Sequence, residues 1–225
     1  MEAFVVDLDS RENQSMLKPS TPPFSNQAYQ AYQVNEAAEK IHELIKNARY
    51  SNDNIVLNHN EIKEAFFSPF KPQLKNAQVF LSHSHADRNK ALEVKDYLEN
   101  QTERKVFIDS LFWDYKDDVL NKLAKHDDIS KIKDAFTLIL RESLQDMIEK
   151  CPYFVFLQSK NSVSNQGLSR ITYSAWIYEE LKIAHSISTI SESHLIPMME
   201  SMQVFHDISP FLKSFETITL NELSQ

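Results

Sequence analysis

Tyr153-Phe-Val-Phe-Leu157 is apolar at all five positions. A strand with one wet face alternates polar and apolar residues, whereas a strand covered on both faces reads as an unbroken apolar run. The run follows a longer segment in which Ile132, Ala135, Phe136, Ile139, Leu140, Leu144, Met147 and Ile148 recur at helical spacing. The chain is therefore expected to bury a strand between layers of helices.

The same texture recurs along the C-terminal two thirds of the chain. Gln78-Val-Phe-Leu-Ser82 and Lys105-Val-Phe-Ile-Asp109 predict two further strands. His194 to Met198 predicts a fourth, placed near an edge by its proline, and Phe215 to Leu220 a fifth. Helices are expected from Asp87, as N-cap, to Asn100, around Asp117 to Lys125, and from Ala175 to Ser186. Leu111, Phe112 and Trp113 are expected in a loop, as is the stretch from Gln158 to Tyr173. Strands alternating with helices mean a parallel sheet with crossover helices on both faces. Ligands of such sheets sit at the carboxyl ends of the strands.

Residues 1–75 read as an extension. Its first 25 or so residues look loosely ordered, with a polar stretch from Ser10 to Gln14 and a proline-rich one from Lys18 to Phe24. Helical patterns follow, with Val34, Ala37, Ile41 and Ile45 on one stripe and a short helix from Glu61 to Phe67. The domain carrying the sheet is assigned to residues 76–225.

Several functions are excluded on composition. Gly167 is the only glycine, so the chain can hold neither a Walker A loop nor a GxGxxG turn. A formal charge of −8 argues against a non-specific nucleic-acid binder, which needs a basic face. Cys151 is the single cysteine, so no internal disulfide can form, and it reads as a buried small hydrophobe. The opening residues resemble neither a signal nor a transit peptide, and no segment approaches the length of a membrane span. A cytoplasmic setting is the expectation.

Three segments lie where the ligand rule points. In Phe80-Leu-Ser-His-Ser-His-Ala-Asp87, the His83-x-His85-x-Asp87 spacing suits a metal, but Arg88 stands where a third histidine would be needed. The segment also reads as a polar turn, or as the wall of a nucleotide pocket at a helix N-terminus. In Phe107-Ile-Asp-Ser-Leu-Phe-Trp-Asp-Tyr115, Asp109 can reach a ribose hydroxyl, while the hydrophobic run reads equally as core or as a subunit contact. In Ser174-Ala-Trp-Ile-Tyr-Glu-Glu-Leu-Lys182, Trp176 and Glu180 are one turn apart. Glu179 has Lys182 three residues on and reads as a solvated pair. Glu180 faces apolar neighbours, which should raise its pKa. A structural glutamate beside tryptophan would look the same.

Taken in this order, the three segments resemble the Toll/interleukin-receptor (TIR) family, and among its members the bacterial TIR proteins of Thoeris-type antiphage systems. The resemblance implies a flavodoxin-like α/β fold with a central parallel five-stranded sheet. It implies NAD+ as substrate, with no further cofactor and no metal, and Glu180 as the catalytic residue, four residues after the tryptophan. Ser82, His83, Asp109, Ser110, Trp113 and Trp176 become the substrate-binding residues, with Arg88 or Lys116 as charge for the diphosphate. An ADP-ribose-type product is implied, cyclic in many bacterial members, acting as a signal to a separate effector protein in antiviral defence. A homo-oligomer on activation and no nucleic-acid or membrane partner complete the expectation. The competing reading is a non-catalytic TIR scaffold in which Leu111 to Trp113 form an assembly surface. A weaker one is a nucleoside or nucleotide base transferase of related fold. The sequence departs from the plant-like pattern at Ile177 and Tyr178.

Overall fold

The structure, a computed structural model, describes residues 1–17, 24–51, 54–68, 76–131, 133–166, 169–189 and 205–225. In chain order the strands are β1 (Glu2–Asp7), β2 (Arg49–Ser51), β3 (Asn54–Val56), β4 (Ala77–Ser82), β5 (Lys105–Ile108), β6 (Tyr153–Gln158), β7 (Ser164–Gln166), β8 (Ser169–Thr172), β9 (His206–Asp207) and β10 (Glu216–Thr217). The helices are α1 (Arg11–Met16), α2 (Phe24–Lys46), α3 (His59–Phe67), α4 (Arg88–Gln101), α5 (Asp109–Leu123), α6 (Lys133–Lys150), α7 (Ala175–Thr189), α8 (Ser209–Ser214) and α9 (Leu220–Leu223). They form two compact units, one of Met1–Ser20, Ala77–Ser110 and Leu144–Gln225, the other of Thr21–Asn76 and Leu111–Ser143.

The first unit is an α/β unit built on a five-stranded sheet of order β10-β1-β6-β4-β5, parallel throughout. Alternation assigns its two faces. Val6, Leu8, Val79, Leu81, Val106, Ile108, Val155 and Leu157 pack with Ala91, Val94 and Leu98 of α4 and with Leu220 and Leu223 of α9. The other face is aromatic. Phe80 stacks on Phe107 and on Phe154, each at 5.8 Å between ring centroids, and Phe215 lies 5.9 Å from Phe154. These rings bury large areas in the offset or tilted geometries that aromatic pairs favour.

The loosely ordered start expected for the first 25 or so residues is corrected over residues 1–17, and the proline-rich stretch from Lys18 to Pro23 lies outside the described residues. Residues 2–7 are a central strand, pairing with β6 over six residues and with β10 on the other side. Phe4-Val-Val6 is a short β-branched and aromatic run, suited to a pleated, buried position. The polar stretch after it is also ordered. Ser10 caps α1 by accepting from the Asn13 N–H at 3.2 Å. Buried Asn13 donates from Nδ2 to the Asp7 carbonyl at 2.8 Å and accepts from the Leu220 N–H at 2.9 Å. It thereby ties the end of β1 to the start of α9. Asn13→Ala strands both backbone groups, and chemical denaturation should show a loss of about 2 kcal/mol. An unchanged midpoint would mean that water replaces both bonds. The unit containing the sheet thus takes in the N-terminus, a division other than the expected 1–75 and 76–225.

Two loop expectations are also corrected. Leu111 to Trp113 lie inside α5, which begins directly after β5. Within Gln158 to Tyr173, β7 and β8 pair antiparallel, and β9 adds to β8. The strand expected at His194 to Met198 lies outside the described residues.

The second unit is helical apart from the β2–β3 hairpin. Val34, Ala37 and Ile41 of α2 are buried as their stripe predicts. Phe66 meets Tyr115 and Phe136 edge-on, at 5.1 and 5.5 Å. The Tyr115 hydroxyl donates to the Phe66 carbonyl at 2.9 Å, and burial raises its pKa. A buried phenol keeps its proton when it has such an acceptor. Among the described residues no helix is long and apolar enough to cross a membrane.

Candidate functional site

The sheet order reverses direction once. From β4 the chain moves outward to β5, then returns past β4 to β6. The segments leaving neighbouring strands β4 and β6 therefore start at a topological switch point, where open α/β sheets bind ligands. Three strand ends meet there: Ser82 and His83 after β4, Asp109 and Ser110 after β5, and Ser159 after β6.

Ser82 alternates with Leu81, so its side chain shares the face of Phe80. There it meets α7. The Ser82 hydroxyl donates to Glu180 Oε2 at 2.5 Å. Ile177, Leu181 and Ala184 of α7 are buried as the helical stripe predicts, and Glu180 lies beside them with 0% of its surface exposed. Burial is the largest cause of a pKa held well above the ordinary carboxylate range. The neighbouring Asp109 adds to it by charge and by bonding the protonated form, and the Ser82 bond opposes it. Among the described residues no lysine or arginine is one of the groups that shift Glu180. Two carboxyls this close hold a proton between them more readily than two negative charges.

Asp109 has a second neighbour. Its Oδ1 lies 2.8 Å from His83 Nδ1, with the two side chains 5% and 0% exposed. The contact is at ion-pair distance, but the ring N–H is out of line for a regular hydrogen bond, and both atoms count among the buried groups lacking one. His83 Nε2, Ser110 Oγ and Glu180 Oε1 are likewise buried without an aligned partner among the described residues. Buried polar atoms are nearly always satisfied, so a cluster of exceptions in one place calls for a reason. A bound ligand would supply one.

A second polar cluster ties the loops together. Asp87 precedes α4 as expected of an N-cap, yet its side chain makes no capping bond. Its carboxylate instead accepts from Ser159 Oγ and, at 2.8 Å, from Asn161 Nδ2. Ser159 Oγ in turn accepts from the Asn161 N–H at 3.0 Å. Asp9, after β1, accepts from the Lys160 N–H at 2.8 Å and from Lys90 at 3.3 Å, and these bonds lower its pKa. Neither Ser159 nor Asn161 was singled out from the sequence, although both follow the all-apolar strand at its ligand end.

The sequence-derived candidates thus divide. Glu180, Ser82, Asp109 and His83 belong to one buried group, and Ser110, next to Asp109 in the chain, is buried as well. Trp176 stands one turn before Glu180, partly exposed. The side chain of Trp113 lies outside the described residues. Arg88 opens α4, while Lys116 belongs to the second unit, where it meets Asp117 at 3.0 Å. The solvated reading of Glu179 is corrected, because that side chain is buried and its charge bears on Tyr178 and His206, whose rings stack at 4.6 Å. His85 is exposed while His83 and Asp87 are buried in separate clusters, so the HxHxD spacing does not converge. Among the described residues no group of three histidine, cysteine or acidic side chains could hold a metal ion.

Protein-family models, curated proteins and solved structures yield no match to this chain.

Chemically, the group combines two carboxyls, a hydroxyl and an imidazole with few charges of the opposite sign. Such a site favours a ligand that carries or develops positive charge.

Proposed function

We propose that the chain is a TIR-type NAD+ nucleosidase or cyclase in which Glu180 acts on the nicotinamide–ribose bond. The observation that carries this reading is the position of the Glu180 carboxyl, held between Ser82 and Asp109 at the strand tips. Nicotinamide in NAD+ is already cationic, so it leaves with the bonding electron pair as a neutral molecule and needs no strong acid. Positive charge then shifts to the ribose carbon and ring oxygen. The cationic ring arriving beside two carboxyls lowers the cost of ionising Glu180, whose proton is released to solvent as substrate binds. The resulting carboxylate opposes the charge that develops on the sugar. Because Glu180 is buried, substrate reaches it only when the groups covering it move aside, which fits an enzyme activated by self-assembly. The product is an ADP-ribose species passed to a separate effector in antiviral defence.

Full burial of Glu180 favours one other reading, the non-catalytic scaffold, in which the glutamate merely joins α7 to β4. Incubating the purified chain with NAD+ at high protein concentration and following nicotinamide by chromatography separates the two. Wild type should release nicotinamide, and Glu180→Gln should reduce the rate by about 10²–10³-fold. Equal background loss for both proteins would leave the scaffold reading standing.

A further inference from the structure

We infer that His83 is a second catalytic residue, the base that takes the proton from the nucleophile attacking the ribose carbon, with Asp109 as its positioning residue. This rests on the glycosidic cleavage proposed above.

The geometry is that of an imidazole backed by a carboxylate. His83 Nδ1 faces Asp109 Oδ1 at 2.8 Å, with both side chains almost wholly enclosed. In this role the ring carries its proton on Nδ1, the side that faces Asp109. The lone pair is then on Nε2. That atom is buried and has no hydrogen-bond partner among the described residues, as is the case for Ser110 Oγ and Glu180 Oε1. A carboxylate at one ring nitrogen fixes the tautomer and stabilises the cation formed when the other nitrogen gains a proton.

The two glycosidic tasks then fall to different groups. Glu180 is bonded to Ser82 and set against a second carboxyl, and once ionised by the arriving cation it takes no proton from the nucleophile. Its part is to oppose positive charge on the sugar. As the C–N pair leaves with nicotinamide, a water or hydroxyl oxygen forms the new C–O bond in the same step. Its O–H proton passes to His83 Nε2, the imidazolium rests against Asp109, and the proton returns to solvent as product leaves.

The experiment uses the full chain, wild type and His83→Gln, with NAD+ in the presence of azide or of methanol. Azide attacks without a proton to lose, so it needs no base. His83→Gln should hydrolyse NAD+ at least about 100-fold more slowly than wild type. Azide should bring nicotinamide release back to within about tenfold of wild type, with a glycosyl azide as product, and methanol should not. An unchanged hydrolysis rate in His83→Gln, or no rescue by azide, overturns the role. Nitrogen NMR of wild-type His83 needs no variant to fold: a neutral ring protonated on Nδ1 supports the role, and one protonated on Nε2 overturns it. A wild-type chain that releases no nicotinamide sinks the glycosidic reading and this role together. Turnover that is indifferent to His83 sinks this role alone.

Discussion

Glu180→Gln should make the protein more stable at pH 8 than the wild type, while leaving the two nearly equal at pH 4. The carboxyl is enclosed, faces Asp109 and has a pKa well above its ordinary value of 4.5. In the unfolded chain it ionises near that ordinary value. Between the two pKa values the folded state binds the proton and the unfolded state does not, so stability falls as pH rises. The slope is about 1.4 kcal/mol for each pH unit in that window. Below the unfolded pKa both states are protonated and the contribution is fully kept. Glutamine removes the titration without removing the shape, and its carbonyl oxygen can still accept from the Ser82 hydroxyl. Urea unfolding at pH 4, 6 and 8 should show the gap between variant and wild type widening with pH. Parallel curves would mean that the carboxyl is already ionised in the folded protein. A residue retained for structure alone would not improve the fold on replacement, so a stabilised variant that has lost turnover would mark a site where function opposes stability.

Val6→Asp should abolish cooperative folding. Val6 is fully buried, stands opposite Leu157 in register and packs with Leu8, Val79, Leu81 and Val155. Val6 has none of its surface exposed, so a carboxylate in its place could not reach water. The substitution forfeits roughly 2 kcal/mol of apolar burial. It also encloses an unpaired charge, at a cost of several kcal/mol more. The sum rivals the roughly 5–15 kcal/mol by which ordinary domains are stable. Glu2→Gln, at the exposed end of the same strand, should shift stability by no more than about 0.5 kcal/mol. Thermal melts followed by circular dichroism decide the matter. A normal melt for Val6→Asp would mean that the N-terminal segment does not belong in the sheet.

That strand marks where sequence reasoning runs out. β4, β5 and β6 were legible because Val79-Phe-Leu81, Val106-Phe-Ile108 and Phe154-Val-Phe-Leu157 are apolar on both faces and bracketed by helical spacing. Phe4-Val-Val6 has the same character over three residues only, between Glu2 and Asp7, and its partner Tyr153 to Gln158 is remote in sequence. Local pattern carries no record of such pairing. The β7–β8 hairpin was hidden for another reason: Ser164-Asn-Gln166 and Ser169-Arg170 are polar, and the pairing there is through backbone rather than through an apolar face.

The candidate site was readable by residue but not by contact. Glu180 and Ser82 could each be singled out, but their bond joins positions 98 residues apart. Asp109 was visible at a strand end, while its place between His83 and Glu180 follows only from two strand tips and α7 converging. Glu179 shows the opposite failure. Its i+3 lysine suggested a wet surface, and tertiary packing buried it regardless.

The central place of β1 also bears on how the protein is made. Its residues leave the ribosome about 150 positions ahead of the strand they pair with, and later still comes β10, which closes the other flank. Throughout that interval an apolar segment waits with both backbone edges unmatched, a template for unwanted strand addition. Closing so long a loop is slow. Yield in cells should therefore depend on holdase chaperones that shield nascent β1 until β6 and β10 have been made.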